Sequence, residues 1–213
     1  DTALRIESRY LAKLITSPVA RNMINTFFFD MNAIKSARSR PSGIGKKKLA
    51  KVGIVGAGMM GAGIAYAQAS KGIATILIDT SQDKADQGRA HTDTLLQAHV
   101  AKGVLGAEAA QATLSLITAT TDMAALAGCE LVIEAVFENR ALKANITRAA
   151  EPHLTAGGVM ATNTSTLPIS GLAQASKDAT QFVGIHFFSP VHKMKLVEII
   201  KGQHTSDQAI ALA

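Results

Sequence analysis

Residues 51–79 read KVGIVGAGMMGAGIAYAQASKGIATILID, and their pattern decides the fold. "KVGIVGAG" is a short apolar run that ends in glycine, as a buried strand does. "MMGAGIAYAQASKG" is rich in small helix-compatible residues, and "ATILID" is a second apolar run closed by an acid. Gly56 to Gly61, "GAGMMG", match G-x-G-x-x-G, a weak signal when it stands alone. Here it follows a predicted strand, opens a predicted helix, and has Asp79 eighteen residues past Gly61 at the end of the next strand. That context makes it a dinucleotide fingerprint. Gly56 permits the tight turn, Gly58 lets backbone approach a pyrophosphate, and Gly61 permits close packing of helix on strand. The helix start offers amide donors and a positive dipole end to the phosphates. Asp79 suits adenosine ribose hydroxyls and repels a 2′-phosphate, which favours NAD over NADP. The bland alternative is a glycine turn that serves packing alone, with Asp79 an ordinary strand-end acid.

Outward from this unit the alternation continues. Helical patterns span Ser81 to about Lys102 and Ala107–Leu114, and the runs "LSLITAT", "LVIEAV" and "GVMATNT" read as further buried strands. Strands alternating with helices imply an α/β, Rossmann-like, doubly wound and mostly parallel sheet. "QFVGIHFF" and "KLVEIIKG" lie too close together for a crossover helix and should form a C-terminal antiparallel pair. Residues 1 to about 37 read as helix interrupted at Ser17-Pro18, with Ser17 as N-cap and proline in the first turn. The three phenylalanines of "NTFFFDMNAI" are more apolar surface than a short helix hides by itself, so this segment should dock against something. The domains expected are a helical linker and basic loop over 1–48, a nucleotide-binding domain over 49–203, and a helix start, "TSDQAIALA", over 204–213 that opens a truncated domain.

Composition narrows the function classes. The chain has 213 residues, a net charge of +6, 47% hydrophobic residues and one cysteine. No apolar stretch reaches the length of a membrane span. Residues 1–51 hold 11 Lys/Arg against 3 acids, whereas residues 52–213 hold 11 against 13. The basic excess therefore belongs to "KSARSRPSGIGKKKLAK", a solvated linker with no interleaved aromatic residues, and not to a nucleic-acid surface. A lone cysteine, Cys129, excludes an internal disulfide framework and fits a reducing compartment such as the cytoplasm; a peroxisomal or mitochondrial origin stays open. Cys129 reads as a small buried residue and not as a nucleophile.

The stretch "VGIHFFSPVHKMKLVEII", Val183–Ile200, sets a titratable pair into apolar runs. His186 and Glu198 are equidistant from His192, so a symmetric hairpin would place them opposite each other, with Cβ atoms roughly 4.5–5.5 Å apart. A carboxylate in a mostly apolar setting raises a histidine's basicity and fixes its tautomer, which makes a general base. On spacing alone, a buried pair that merely satisfies its own polar groups fits as well. The upstream fingerprint favours the base, since a hydride acceptor needs a partner for the hydroxyl proton. His91, His99, His153, His192 and His204 read as surface or local structural histidines without metal-ligand grouping.

With "VGIVGAGMMGAGIA", "LVIEAVFEN", "ATNTSTLPI" and "GIHFFSPVHKMKLVEII" in that order, the chain resembles the NAD-binding domain of L-3-hydroxyacyl-CoA dehydrogenases. Its strongest likeness is to multifunctional β-oxidation enzymes, in which an enoyl-CoA hydratase/isomerase domain precedes this one. The resemblance implies that His186 is the catalytic base, Glu198 its partner, and Ser165 a contact to nicotinamide and to the substrate's reacting oxygen. It places Met59 and Met60 of the glycine turn, Val136, Phe137, Glu138, Lys143 and Ser189 along the cofactor. The transfer to Glu134 is weaker. Without the resemblance, Lys143 is a solvated helix lysine, Ser165 a turn former and Met60 core filler. Ser189 stands where many members carry asparagine, which alters a cofactor contact. Acyl-CoA is the substrate implied. The missing hydratase and C-terminal helical domains and a thiolase subunit are partners implied, and an uncovered docking edge favours self-association as a homodimer. The rival readings are an NAD dehydrogenase of another small hydroxy acid and a noncatalytic dinucleotide-binding module.

Overall fold

The seven apolar runs become the strands of one sheet: β1 Lys51–Val55, β2 Ala74–Ile78, β3 Ile117–Thr120, β4 Leu131–Glu134, β5 Val159–Thr162, β6 Phe182–Phe187 and β7 Val197–Ile200. The structure, a computed structural model describing residues 1–213, divides into two compact units, residues 1–42 and 43–213. The first unit is helical. Helices α1 (Thr2–Ile15), α2 (Pro18–Ile24) and α3 (Met31–Lys35) are joined at Ser17 and by a π-helical turn, Asn25–Asp30. Ser17 caps α2 by accepting the Ala20 amide at 3.1 Å, with Pro18 at the first helical position where its missing N–H costs nothing. None of the helices in this unit buries a residue, and Phe27, Phe28 and Phe29 are all exposed.

In the second unit α4 (Met59–Ala69), α5 (Gln82–Ala101), α6 (Ala107–Ser115), α7 (Arg140–Ala150), α8 (Ile169–Leu172) and α9 (Asp207–Leu212) flank the sheet. The strand order is β3-β2-β1-β4-β5-β6-β7; every pair is parallel except β6–β7, which is antiparallel. Alternate side chains of each strand feed two cores, because the side-chain period of a strand is two. Val52, Ile54, Leu77, Leu131 and Ile133 pack with Ile64 and Ala65 of α4. Val55, Ile76, Val132 and Met160 pack on the other side with Ala150 of α7 and Leu172 of α8. Each such fully buried aliphatic side chain contributes on the order of 1.5–3 kcal/mol. Burial on both faces explains why these strands read as continuous apolar runs and not as alternating ones. No helix is long and apolar enough to cross a membrane.

The chain order reverses between β1 and β4, so the segments that leave the carboxyl ends of these two strands diverge and open a crevice between them. The glycine turn leaves β1 there and the segment from Ala135 leaves β4.

Candidate active site

Gly56 follows β1 with φ +103°, a conformation L side chains rarely adopt, and its amide donates to the Ile78 carbonyl of β2 at 2.8 Å. A Cβ on Gly61 would lie 1.7 Å from the Gly56 carbonyl oxygen, so the first turn of α4 sits directly on the glycine turn. A Cβ on Gly58 would meet nothing within 4 Å. Gly58 is therefore required by neither packing nor a left-handed backbone, and the space above it is open to a ligand. The first amides of a helix have no intrahelical acceptor and suit phosphate oxygens. Asp79 reaches the same turn: one carboxylate oxygen accepts from the Ala57 amide at 2.7 Å, the other from the Thr80 amide at 2.7 Å. Partial burial raises its pKa, but these backbone hydrogen bonds, the Thr80 hydroxyl and nearby Lys84 outweigh it and hold the group below its ordinary value.

On the β4 side three charged residues form one cluster. Lys143, expected as a solvated lysine without the family resemblance, is 2% exposed and donates to both carboxylate oxygens of Glu134, at 2.9 and 3.1 Å. It lies 3.1 Å from Glu138 as well. Glu138 accepts from the Thr164 hydroxyl at 2.5 Å and from the amides of Ser165 at 2.8 Å and Thr166 at 3.2 Å. Burial pushes the Glu138 carboxyl up, yet the Thr164 and Ser165 hydrogen bonds and Lys143 win and hold it at about 2. One glutamate thus ties the segment after β4 to the Thr164–Thr166 turn after β5, which carries the exposed side chain of Ser165.

The β6–β7 register sets His186 opposite Glu198, and His186 Nδ1 lies 2.8 Å from Glu198 Oε2. An ionised carboxylate only accepts, so Nδ1 carries the hydrogen and Nε2 keeps a lone pair that can take a proton. The pair is less buried than its apolar runs suggest: the side chains are 17% and 50% exposed. The reason is that β7 is the edge strand and Glu198 and Ile199 are both open to solvent in residues 1–213. Beyond β6 the chain folds back over the glycine turn. The Ser189 hydroxyl points to the Met59 sulfur at 3.8 Å, and Val191 lies where a Cβ on Gly63 of α4 would be 3.0 Å away. Asn163 Oδ1 accepts the Phe187 amide at 2.8 Å and locks the end of β5 to the strand that bears His186.

A cavity of about 770 Å³ runs along the β1–β4 crevice, lined among others by Gly58, Met60, Asp79, Val136, Phe137 and His91. It takes in the glycine turn and the acid of β2, a shape and donor set that fit the adenosine and pyrophosphate parts of a dinucleotide. His186, Glu198 and Ser165 do not line it; they stand further along the sheet edge. Two residues here were passed over on sequence, His91 at the cavity wall and Asn163; Glu134, to which the resemblance transfers only weakly, is fully buried. For Glu134 a signal exists, an acid inside the apolar run "LVIE". Cys129 is wholly buried, and burial pushes its thiol up to about 11 despite Lys51, which leaves it unreactive.

A doubly wound sheet with a glycine turn at its switch point and an acid at the end of β2 defines a dinucleotide-binding domain of the dehydrogenase class. Residues 51–213 match the family model for 3-hydroxyacyl-CoA dehydrogenase, NAD binding domain, and the chain belongs to that family. The domain is thus an NAD-binding one. Among solved structures, (S)-3-hydroxybutyryl-CoA dehydrogenase from Ralstonia eutropha is 36% identical with a TM-score of 0.74, over 77% of this chain and 58% of that one. The 3-hydroxybutyryl-CoA dehydrogenase from Escherichia coli is 33% identical with a TM-score of 0.74, over 77% of this chain and 35% of that one. The dehydrogenase part of multifunctional enzyme 1 from C. elegans is 29% identical with a TM-score of 0.69, over 79% of this chain and 38% of that one. The chain therefore spans less than two thirds of each of these relatives.

Proposed function

We propose that this chain is the NAD-binding part of an enzyme that oxidises an L-3-hydroxyacyl-CoA to a 3-ketoacyl-CoA in fatty-acid β-oxidation, within a longer polypeptide that also carries a helical substrate domain and a hydratase domain. The observation that carries the reading is the 2.8 Å contact between His186 Nδ1 and Glu198 on the strand whose continuation folds onto the glycine turn. NAD, when bound, supplies the acceptor for the hydride that leaves C3. His186 takes the 3-hydroxyl proton on Nε2. Glu198 then faces an imidazolium, and a fixed negative charge where positive charge develops lowers the barrier. Ser165, presented on the turn that Glu138 grips, orients the hydroxyl. The glycine turn, Asp79 and the Glu138–Lys143 cluster hold the cofactor.

The test is a panel of 3-hydroxyacyl-CoA esters and free hydroxy acids offered to the complete protein, with His186→Gln alongside. The reading expects CoA esters to be oxidised and the variant to lose roughly 10²–10⁴-fold in turnover, the usual contribution of a general base. Oxidation of free hydroxy acids alone, or an unimpaired variant, would overturn it.

A further inference from the structure

Glu134 takes no part in the proton or hydride transfer, yet it is the one fully buried carboxylate in the domain. It closes β4 at 1% exposure. One of its oxygens accepts from the Val136 amide at 2.6 Å and from Lys143 at 2.9 Å; the other accepts from Lys143 at 3.1 Å and from the Thr162 hydroxyl at 2.8 Å. Lys143 reaches from there to the Val136 carbonyl at 3.3 Å and to Glu138 at 3.1 Å. Glu138 in turn holds the Thr164 hydroxyl and the Ser165 and Thr166 amides. A continuous line of charge-assisted contacts therefore runs from the floor of the sheet to the turn that presents Ser165.

We propose that Glu134 is a positioning residue for the cofactor site, acting through Lys143 to set Glu138 and the Thr164–Thr166 turn before NAD arrives. The physical need comes from the lysine. An ammonium on a four-carbon stem is a rotatable point charge with no preferred direction of its own. Two oxygens of a carboxylate fixed by Val136 and Thr162 hold that charge at one place. Glu138, more than a third exposed, meets the ammonium through one oxygen, whereas the buried Glu134 meets it through both. A buried ion pair is weak evidence for a contribution to stability; what this pair supplies is placement. It rests on the reading of Lys143 and Glu138 as cofactor-side residues.

NADH binding is followed by the fluorescence of the reduced nicotinamide. Glu134→Gln, Lys143→Met and the double variant are compared at a temperature where thermal melts show each one folded. Glu134→Gln is expected to weaken NADH binding about tenfold, the loss that follows misplacing a hydrogen bond to a charged group. The double variant should be no weaker than Lys143→Met, since Glu134 acts through the lysine. An affinity within about twofold of wild type for Glu134→Gln, with Lys143→Met impaired, overturns the proposal alone. So do losses that multiply in the double variant. Unimpaired binding in both single variants removes the cofactor reading of Lys143 together with it. If Glu134→Gln does not fold, Glu134→Asp keeps the charge one methylene short. Positioning then requires faster hydrogen exchange at the Ser165 and Thr166 amides, and unchanged exchange there sinks the idea.

Discussion

The carboxylate of Asp79 accepts the amide of Ala57 at 2.7 Å, so the acid at the end of β2 is fastened to the glycine turn at the end of β1. The two halves of the fingerprint are thereby one object. The acid is placed by the turn it serves, and its ionised form is favoured by the same bonds. Replacing it by Asn leaves an amide that can still accept but no longer repels a phosphate. Asp79→Asn should weaken NADH binding about tenfold and bring NADPH affinity close to that of NADH. Fluorescence titrations with both cofactors check this, and an undiminished preference for NADH would remove Asp79 from cofactor choice.

Gly58 and Gly61 are three residues apart and predict opposite outcomes. A Cβ on Gly61 collides with backbone at 1.7 Å, which no rotamer change relieves. Gly61→Ala should cost stability by roughly 1–3 kcal/mol or more, as overpacking does. A Cβ on Gly58 enters open space, so Gly58→Ala should cost only the roughly 1 kcal/mol or less of a poorer N-cap for α4 in urea unfolding. NADH binding should nonetheless fall in Gly58→Ala, because the added methyl occupies the approach to the pyrophosphate. Urea melts paired with titrations separate packing from recognition.

What the sequence makes legible follows from how locally each feature is encoded. The fingerprint is a spacing rule within one βαβ unit, and the β6–β7 pairing of His186 with Glu198 follows from a short loop, so both can be read along the chain. Exposure of Glu198 cannot: "KLVEII" has the composition of a buried strand, but burial depends on what covers an edge strand, and that is not written in its own residues. Lys143 shows the same limit from the other side. On α7 it has the spacing of a surface lysine, and only the end of β4 folding beneath it supplies Glu134. The relation spans nine residues but two kinds of element, and no periodicity announces it.

Glu138 gives a pH signature. Its carboxyl is held at about 2 against an ordinary 4.5. A depressed folded-state value means the folded form releases the proton more readily, so the stabilisation is present above pH 4.5 and is lost as pH falls toward 2. Wild type should therefore exceed Glu138→Gln in stability at pH 6, with the gap closing between pH 4.5 and 2. Its size is reduced by solvent screening of a side chain more than a third exposed. Denaturant curves at a series of pH values measure the gap, and a constant difference across that window would place the effect elsewhere.

Glu198 can be asked whether it supplies charge or only direction. Glutamine at that position can still accept the Nδ1 hydrogen of His186, so tautomer and ring orientation survive while the negative charge facing the developing imidazolium is lost. Alanine removes both. On the edge strand the site is half open to water, which weakens the charge and leaves direction intact. In the complete enzyme, Glu198→Gln should lower single-turnover oxidation by about tenfold and Glu198→Ala by about 10²-fold or more, with NADH affinity unchanged in both. Equal losses in the two variants would mean that charge carries the whole effect. That result would require β7 to be covered and water excluded from Glu198 during turnover.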